Sequence, residues 1–137
     1  METEGTFLPE TPAEARERYE ELGPTAQVVV KEVAKAMDFG PEEYDRRVTS
    51  DVVETAREAL FASLLAVRVG THEEYEDWRV ETDHEVHEFG SEHVDNVVWH
   101  APPFAQQAVA ATFQDERHAA VETLRRQAIG RIYRDVL

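Results

Sequence analysis

The stretch "DHEVHEFGSEHVDNVVWH", residues 83–100, decides how this chain is read. It holds four of the six histidines, His84, His87, His93 and His100, with carboxylates between them. Apolar and polar residues alternate into it: Trp78, Val80, Thr82, His84 and Val86 against Arg79, Glu81, Asp83, Glu85 and His87. A period of two predicts a half-buried strand. "VDNVVWH" predicts a second strand, and the intervening Gly90–Ser91 suits a two-residue turn with glycine first. The stretch reads as a β-hairpin.

Register then decides whether the histidines can act together. With a two-residue turn, Phe89 pairs with Glu92, His87 with Val94 and His84 with Val97. His84 and His93 then share one face, four residues or about 13 Å apart, and His87 and His100 share the other, farther apart. An ion needs its imidazoles about 2 Å away, so no pair binds one metal. A three-residue loop over 89–91 would instead set His87 opposite His93 and Glu85 opposite Asp95. Those two imidazoles and two carboxylates would suit zinc, nickel or manganese. That loop favours glycine last, and Gly90 is in its middle. His87, His93, Glu85 and Asp95 therefore stand as the alternative, a divalent-metal site, beside the main expectation of no cofactor.

Helical punctuation surrounds the hairpin. Thr11 with Pro12 and Glu14 predicts a capped helix that ends at Gly23–Pro24. Ala26, Val29, Val30, Val33 and Met37 give one apolar face to a second helix, residues 25–37. "PEEYDRR" predicts a short third helix. Thr49 or Ser50 caps a fourth, which ends before Gly70. Val52, Ala56, Leu60, Leu64 and Val67 line it, and Phe61 and Leu65 widen its face, which predicts a helix at the centre of the fold. Thr71 and Glu74 form a capping box for a short helix from His72 to about Trp78. Pro103 opens a predicted helix to Phe113. A last helix, capped by Asp115, buries Val121, Leu124, Ala128, Ile132 and Val136. The expected fold is a single α+β domain over residues 1–137, mainly helical, with about five helices around a central apolar helix and one β-hairpin.

Composition bounds the function. The 137 residues include no cysteine, which excludes disulfides, thiolate metal sites and a cysteine nucleophile. The acidic N-terminus lacks the apolar core of a signal peptide, and "ALFASLLAV" is too short to span a bilayer, so the expected location is cytoplasmic. Acids number 29 against 14 basic residues, a net charge of −15, and only two of the basic residues are lysines, Lys31 and Lys35. Such self-repulsion opposes folding in dilute buffer. Near 1 M salt the Debye length is about 3 Å and the repulsion is screened. Acid excess with scarce lysine therefore points to a salt-loaded environment.

Two segments, "WHAPP" and "ATFQDERHAAVETLRRQAIGRIYRD", resemble a family of small acidic haloarchaeal proteins without an established function. The resemblance implies a cytosol with molar potassium. It supplies no activity and no site residues.

Other activities find little support. Arg117, Arg125, Arg126, Arg131 and Arg134 scatter around the last helix instead of forming a stripe, and phosphate binding weakens with salt, so no nucleic-acid partner is expected. Helices 25–37, 41–47 and 50–69 before a hairpin would suit a winged helix, but the acids of its wing would repel DNA. There is no glycine-rich phosphate loop, nucleophile elbow or HExxH motif, and no catalytic residue is assigned. The sequence reads as a non-catalytic interaction or assembly module, with a metal-binding protein or metal-dependent enzyme as the alternative. Local positive charge on the last helix predicts a homodimer through Arg126, Ile129, Tyr133 and Arg134 against the hairpin.

Overall fold

In the computed structural model, which describes residues 1–91 and 93–137, the two strands of the quoted stretch do not touch. Strand β3 (Glu85–Phe89) and strand β4 (Asn96–His100) run antiparallel, but strand β5 (Gln107–Phe113) lies between them. It pairs parallel with β3 (Glu85↔Gln107, Phe89↔Ala111) and antiparallel with β4 (Asn96↔Phe113, His100↔Val109). At the crossing, Gly90 has φ +105°, and a Cβ there would stand 2.1 Å from Thr112 Oγ1. That hydroxyl accepts from the Ser91 N–H at 2.8 Å. Gly90 is thus needed where the chain passes over the end of β5, not for a hairpin turn. The expected pairing of Phe89 with Glu92 falls on a residue outside those described.

The single expected hairpin is therefore corrected to a five-stranded mixed sheet. β1 (Glu2–Glu4) pairs with β2 (Val67–Thr71), β2 pairs with β4, and the order is β1-β2-β4-β5-β3. The class is α+β, with five α-helices among the described residues: α1 (Pro12–Ala36), α2 (Pro41–Arg47), α3 (Ser50–Leu64), α4 (His72–Glu81) and α5 (Arg117–Ala128). α5 continues into a π-helical turn, Ile129–Tyr133.

The centre is the sheet, not α3. Val97, Val98, Trp99 and His100 are each at most 1% exposed, and Ala108, Val109 and Ala110 at most 2%. A strand covered on both faces loses the alternation that marks a half-buried one, which is why the segment 103–113 reads as a helix. On one face Val67, Val69, Val98 and Val109 meet Tyr19, Phe61, Leu124 and Tyr133 from α1, α3, α5 and the π-turn. On the other, Val97, Trp99 and Ala110 meet Tyr75 and Trp78 of α4.

Two boundaries differ for local reasons. α3 ends at Leu64 because the N-terminal segment takes over its backbone bonds. The Thr6 and Phe7 N–H groups donate to Leu64 O at 3.0 and 2.8 Å, and Ala66 N–H donates to Phe7 O at 2.8 Å. The chain then leaves as β2. α1 runs through Gly23–Pro24, merging the two expected helices. α3 clamps α1 just before the proline: Arg57 Nε donates to Tyr19 O at 2.7 Å, and its guanidinium lies 4.3 Å from the Tyr19 ring centroid.

The caps hold. Thr11, Thr49 and Thr71 are N-caps, and α4 has the full capping box. Thr71 Oγ1 accepts from Glu74 N–H at 3.1 Å, and Glu74 Oε1 accepts from Thr71 N–H at 2.9 Å. Thr71→Ala is expected to cost about 1 kcal/mol, read as a lower urea midpoint with an unchanged slope. α5 departs from expectation, with Glu116 rather than Asp115 at its N-cap position and no side-chain cap bond.

Candidate functional site

Each histidine of the quoted stretch meets a different environment. His84 Nδ1 lies 3.0 Å from Thr82 Oγ1 and Nε2 lies 3.0 Å from Pro102 O. The carbonyl can only accept, so Nε2 carries the proton and Nδ1 takes the hydroxyl bond. His87 Nε2 lies 3.2 Å from Gln107 Oε1 at the outer edge of the sheet. His93 sits in the turn before β4, where its backbone N–H donates to Ser91 Oγ at 3.3 Å.

The four residues of the alternative metal set are not gathered. Glu85 pairs with Gln107 at one end of β5, while Asp95 accepts from Gln114 Nε2 at 2.9 Å beyond the other end. Seven residues of strand separate those points, about 23 Å. The inserted strand is the reason: His87 faces Val109 of β5 instead of His93. Among the described residues, no three His, Asp or Glu side chains form a group that could hold an ion.

Among the described residues His100 is the one buried histidine. Its Nδ1–H donates to Ala66 O at 2.7 Å, and its Nε2 accepts from Tyr133 Oη at 2.8 Å. Burial pushes its pKa down to about 4, against a smaller opposing effect of the Ala66 bond. Burial also raises the Tyr133 hydroxyl far above its ordinary value. A neutral imidazole with both nitrogens occupied joins Ala66, the residue before β2, to β4 and the π-turn.

The expected dimer contact on the last helix is also corrected. Ile129 and Tyr133 are 5% and 0% exposed and belong to the main core. Arg134 Nη1 lies 3.4 Å from Glu58 of α3 in the same chain. Arg117 reaches Glu2 and Glu4 and ties β1 to the start of α5. Arg125 donates Nε and Nη2 to Leu65 O at 3.2 and 3.1 Å. Of the four proposed contact residues, only Arg126 is exposed with no ion pair among the described residues.

The open apolar surface lies elsewhere. The C-terminal half of α1, α2 and the N-terminal half of α3 enclose a groove of about 410 Å³. Val29, Val33, Met37, Phe39, Val48, Val52, Ala56 and Ala59 line most of it, and among the described residues Arg47 is the only charged side chain lining it. Val33, Met37 and Val52 are 52%, 58% and 42% exposed. On α1 the rows are adjacent. Ala26, Val30 and Ala34 are buried, while Val29, Val33 and Met37 remain open. The apolar face is wider than one neighbouring helix covers.

A model of the DUF5809 family, a family of unknown function, matches residues 6–134. The chain belongs to the DUF5809 family. No curated protein and no solved structure matches it. In this DUF5809 chain no helix among the described residues is long and apolar enough to cross a membrane.

Two further hollows are smaller or more polar. One of about 180 Å³ is lined by Thr3, Arg68, Trp78, His84 and Trp99 among others. Trp99 Nε1 is the one buried side-chain polar atom among the described residues without a partner. The other is an open hollow walled by Glu74, Asp77 and Glu81. Among the described residues the α1–α3 groove has no carboxylate in its lining, which sets it apart from the second hollow, and it is larger than the first. Such a surface leaves contiguous apolar area open to water.

Proposed function

We propose that this DUF5809 protein is a non-catalytic protein–protein interaction module that works in a salt-loaded cytoplasm. The groove between α1, α2 and α3 carries the reading. Valine and methionine at 39–58% exposure, contiguous on facing helices, leave apolar area in water that a binding partner would remove. The net charge of −15 and the two-lysine count support the environment. In dilute buffer, repulsion would oppose association of two such acidic surfaces. In concentrated salt, contact at an uncharged groove becomes favourable.

A photo-crosslinking residue at Met37, in the cells that make the protein, tests the reading. Covalent adducts heavier than the chain are expected from position 37. None are expected from position 80, where Val80 is 83% exposed on α4, outside the groove. No adduct from 37, or the same adducts from 80, would remove the interaction reading.

A further inference from the structure

We infer that the hollow beside Trp99 is a binding site for a small organic carboxylate, with Arg68 and the Trp99 indole N–H as its donors. It lies on the α4 face of the sheet, away from the α1–α3 groove, and stands independently of the interaction reading.

The sheet register builds the hollow. Thr3 pairs with Arg68 and Arg68 pairs with Trp99, so the three side chains form a row across β1, β2 and β4 on one face. Ala66 and Ala101, each two residues from that row, continue the face with methyl groups alone. α4 brings Trp78 over the row and ends at Glu81, and His84 lies beyond its end. Small side chains below and the end of a helix above leave a space of about 180 Å³.

An unmet donor lies in its wall. Trp99 is 1% exposed, yet its Nε1–H has no partner among the described residues. A buried donor left unpaired is costly, and folded proteins meet such groups with water, an ion or a ligand. The ring orientation turns this donor toward the hollow. A Cβ at Gly70 would stand 3.1 and 3.3 Å from Trp99 Cη2 and Cζ3, and Gly70 pairs with Val97. Nε1 is on the opposite side of the indole from Cζ3, so it faces away from Val97, toward Ala101. The Trp78 ring is tilted only 32° from the Trp99 ring, so its face does not meet an N–H that lies in the Trp99 plane.

The lining selects the ligand. Trp99 Nε1 and the Arg68 guanidinium can only donate, so the ligand must accept. Among the described residues the lining holds no carboxylate, in a chain with 29, and Arg68 makes no ion pair. Neighbouring acids are engaged elsewhere: Glu2 and Glu4 by Arg117, and Glu74 by the N-terminal ammonium. Asp77 and Glu81 wall the adjoining open hollow, which Arg68 also lines. A free cation beside a free N–H suits an anion, and Leu8, the two alanines and the two indole rings suit an apolar body. At about 30 Å³ for each water-sized atom, the space holds about six heavy atoms, the size of butyrate. Thr3, Leu8 and Arg68 are exposed, so theirs are the side chains free to shift as a ligand enters.

Proton–nitrogen NMR in molar KCl tests this. The chain has two tryptophans, and Trp78→Phe assigns their two indole N–H signals. Potassium butyrate, titrated over about 0.1 to 100 mM, should move the Trp99 signal saturably. The same range of 1-butanol should not. Arg68→Gln, an exposed change that keeps the fold, should raise the half-saturating concentration at least tenfold. Ala101→Leu, which fills the hollow without altering charge, should abolish the shift. A Trp99 signal that butyrate does not move overturns the site, as does a response unchanged in Arg68→Gln. An equal response to 1-butanol overturns the anion. Exchange of KCl for potassium sulfate without butyrate should leave the signal in place. A shift on that exchange, with none from butyrate, would give the hollow to chloride and overturn the carboxylate.

Discussion

Tyr133→Glu is expected to leave the chain without a cooperative unfolding transition, even in molar KCl. Tyr133 is fully buried, with its ring edge-on to Phe61 at 5.1 Å between centroids and tilted against Phe104 at 5.6 Å. Removing the ring costs about 3–5 kcal/mol by analogy with other aromatic truncations. The carboxylate adds an unpaired buried charge, several kcal/mol more. The nearby cation cannot answer it, since Arg125 is already held by Leu65 O and Glu122. Together these approach the 5–15 kcal/mol that holds a typical domain folded. Tyr133→Phe keeps the ring and removes only the donor to His100, so it should cost about 1–3 kcal/mol. Thermal melts by circular dichroism separate the cases. A glutamate variant that melts like wild type would mean that Tyr133 sits on the surface, as its sequence position suggested.

That residue shows where the sequence stops being legible. Ile129 and Tyr133 fall off the stripe of an ideal helix through Val121, Leu124, Ala128 and Ile132, and so look exposed. The π-turn over Ile129–Tyr133 rotates the last residues, and both side chains enter the core. Signals carried by adjacent residues could be read: the Thr11, Thr49 and Thr71 caps, the short helix α2, and β4 itself. Signals that depend on a distant partner could not. Nothing near Pro24 announces Arg57, and nothing between β3 and β4 announces that β5 will insert there. The groove was half visible. Val29, Val33 and Met37 stand out as apolar at helical spacing, but whether a neighbour covers such a row is a property of the tertiary fold. The histidines are the sharpest case. Proximity in sequence suggested one shared site, whereas each takes its partners from a different part of the chain.

His100 makes the last of these points measurable as a dependence on pH. It is 1% exposed, and burial holds its folded-state pKa near 4, against an ordinary value of 6.5. As pH falls through 6.5 the unfolded chain binds a proton here and the folded chain does not. The stabilising contribution is therefore complete above about pH 6.5 and is lost as pH falls toward 4. A difference of 2.5 pH units corresponds to about 3 kcal/mol at 1.36 kcal/mol per unit. Arg125 acts in the same direction, since its positive charge disfavours a second one at His100. Acidification also relieves the repulsion among 29 acids, an opposite effect of the whole surface. His100→Gln separates the two. The amide keeps a donor and an acceptor but cannot take up the proton, so the variant keeps the surface effect and lacks the histidine one. Urea unfolding of both proteins in molar KCl, at pH 7 and pH 4.5, gives the comparison. Wild type should lose most of that 3 kcal/mol relative to the variant between the two pH values. Proton NMR of the imidazole should place its midpoint near 4. A midpoint near 6.5, with parallel stability curves for the two proteins, would mean that the ring reaches solvent and does not join Ala66 to the π-turn.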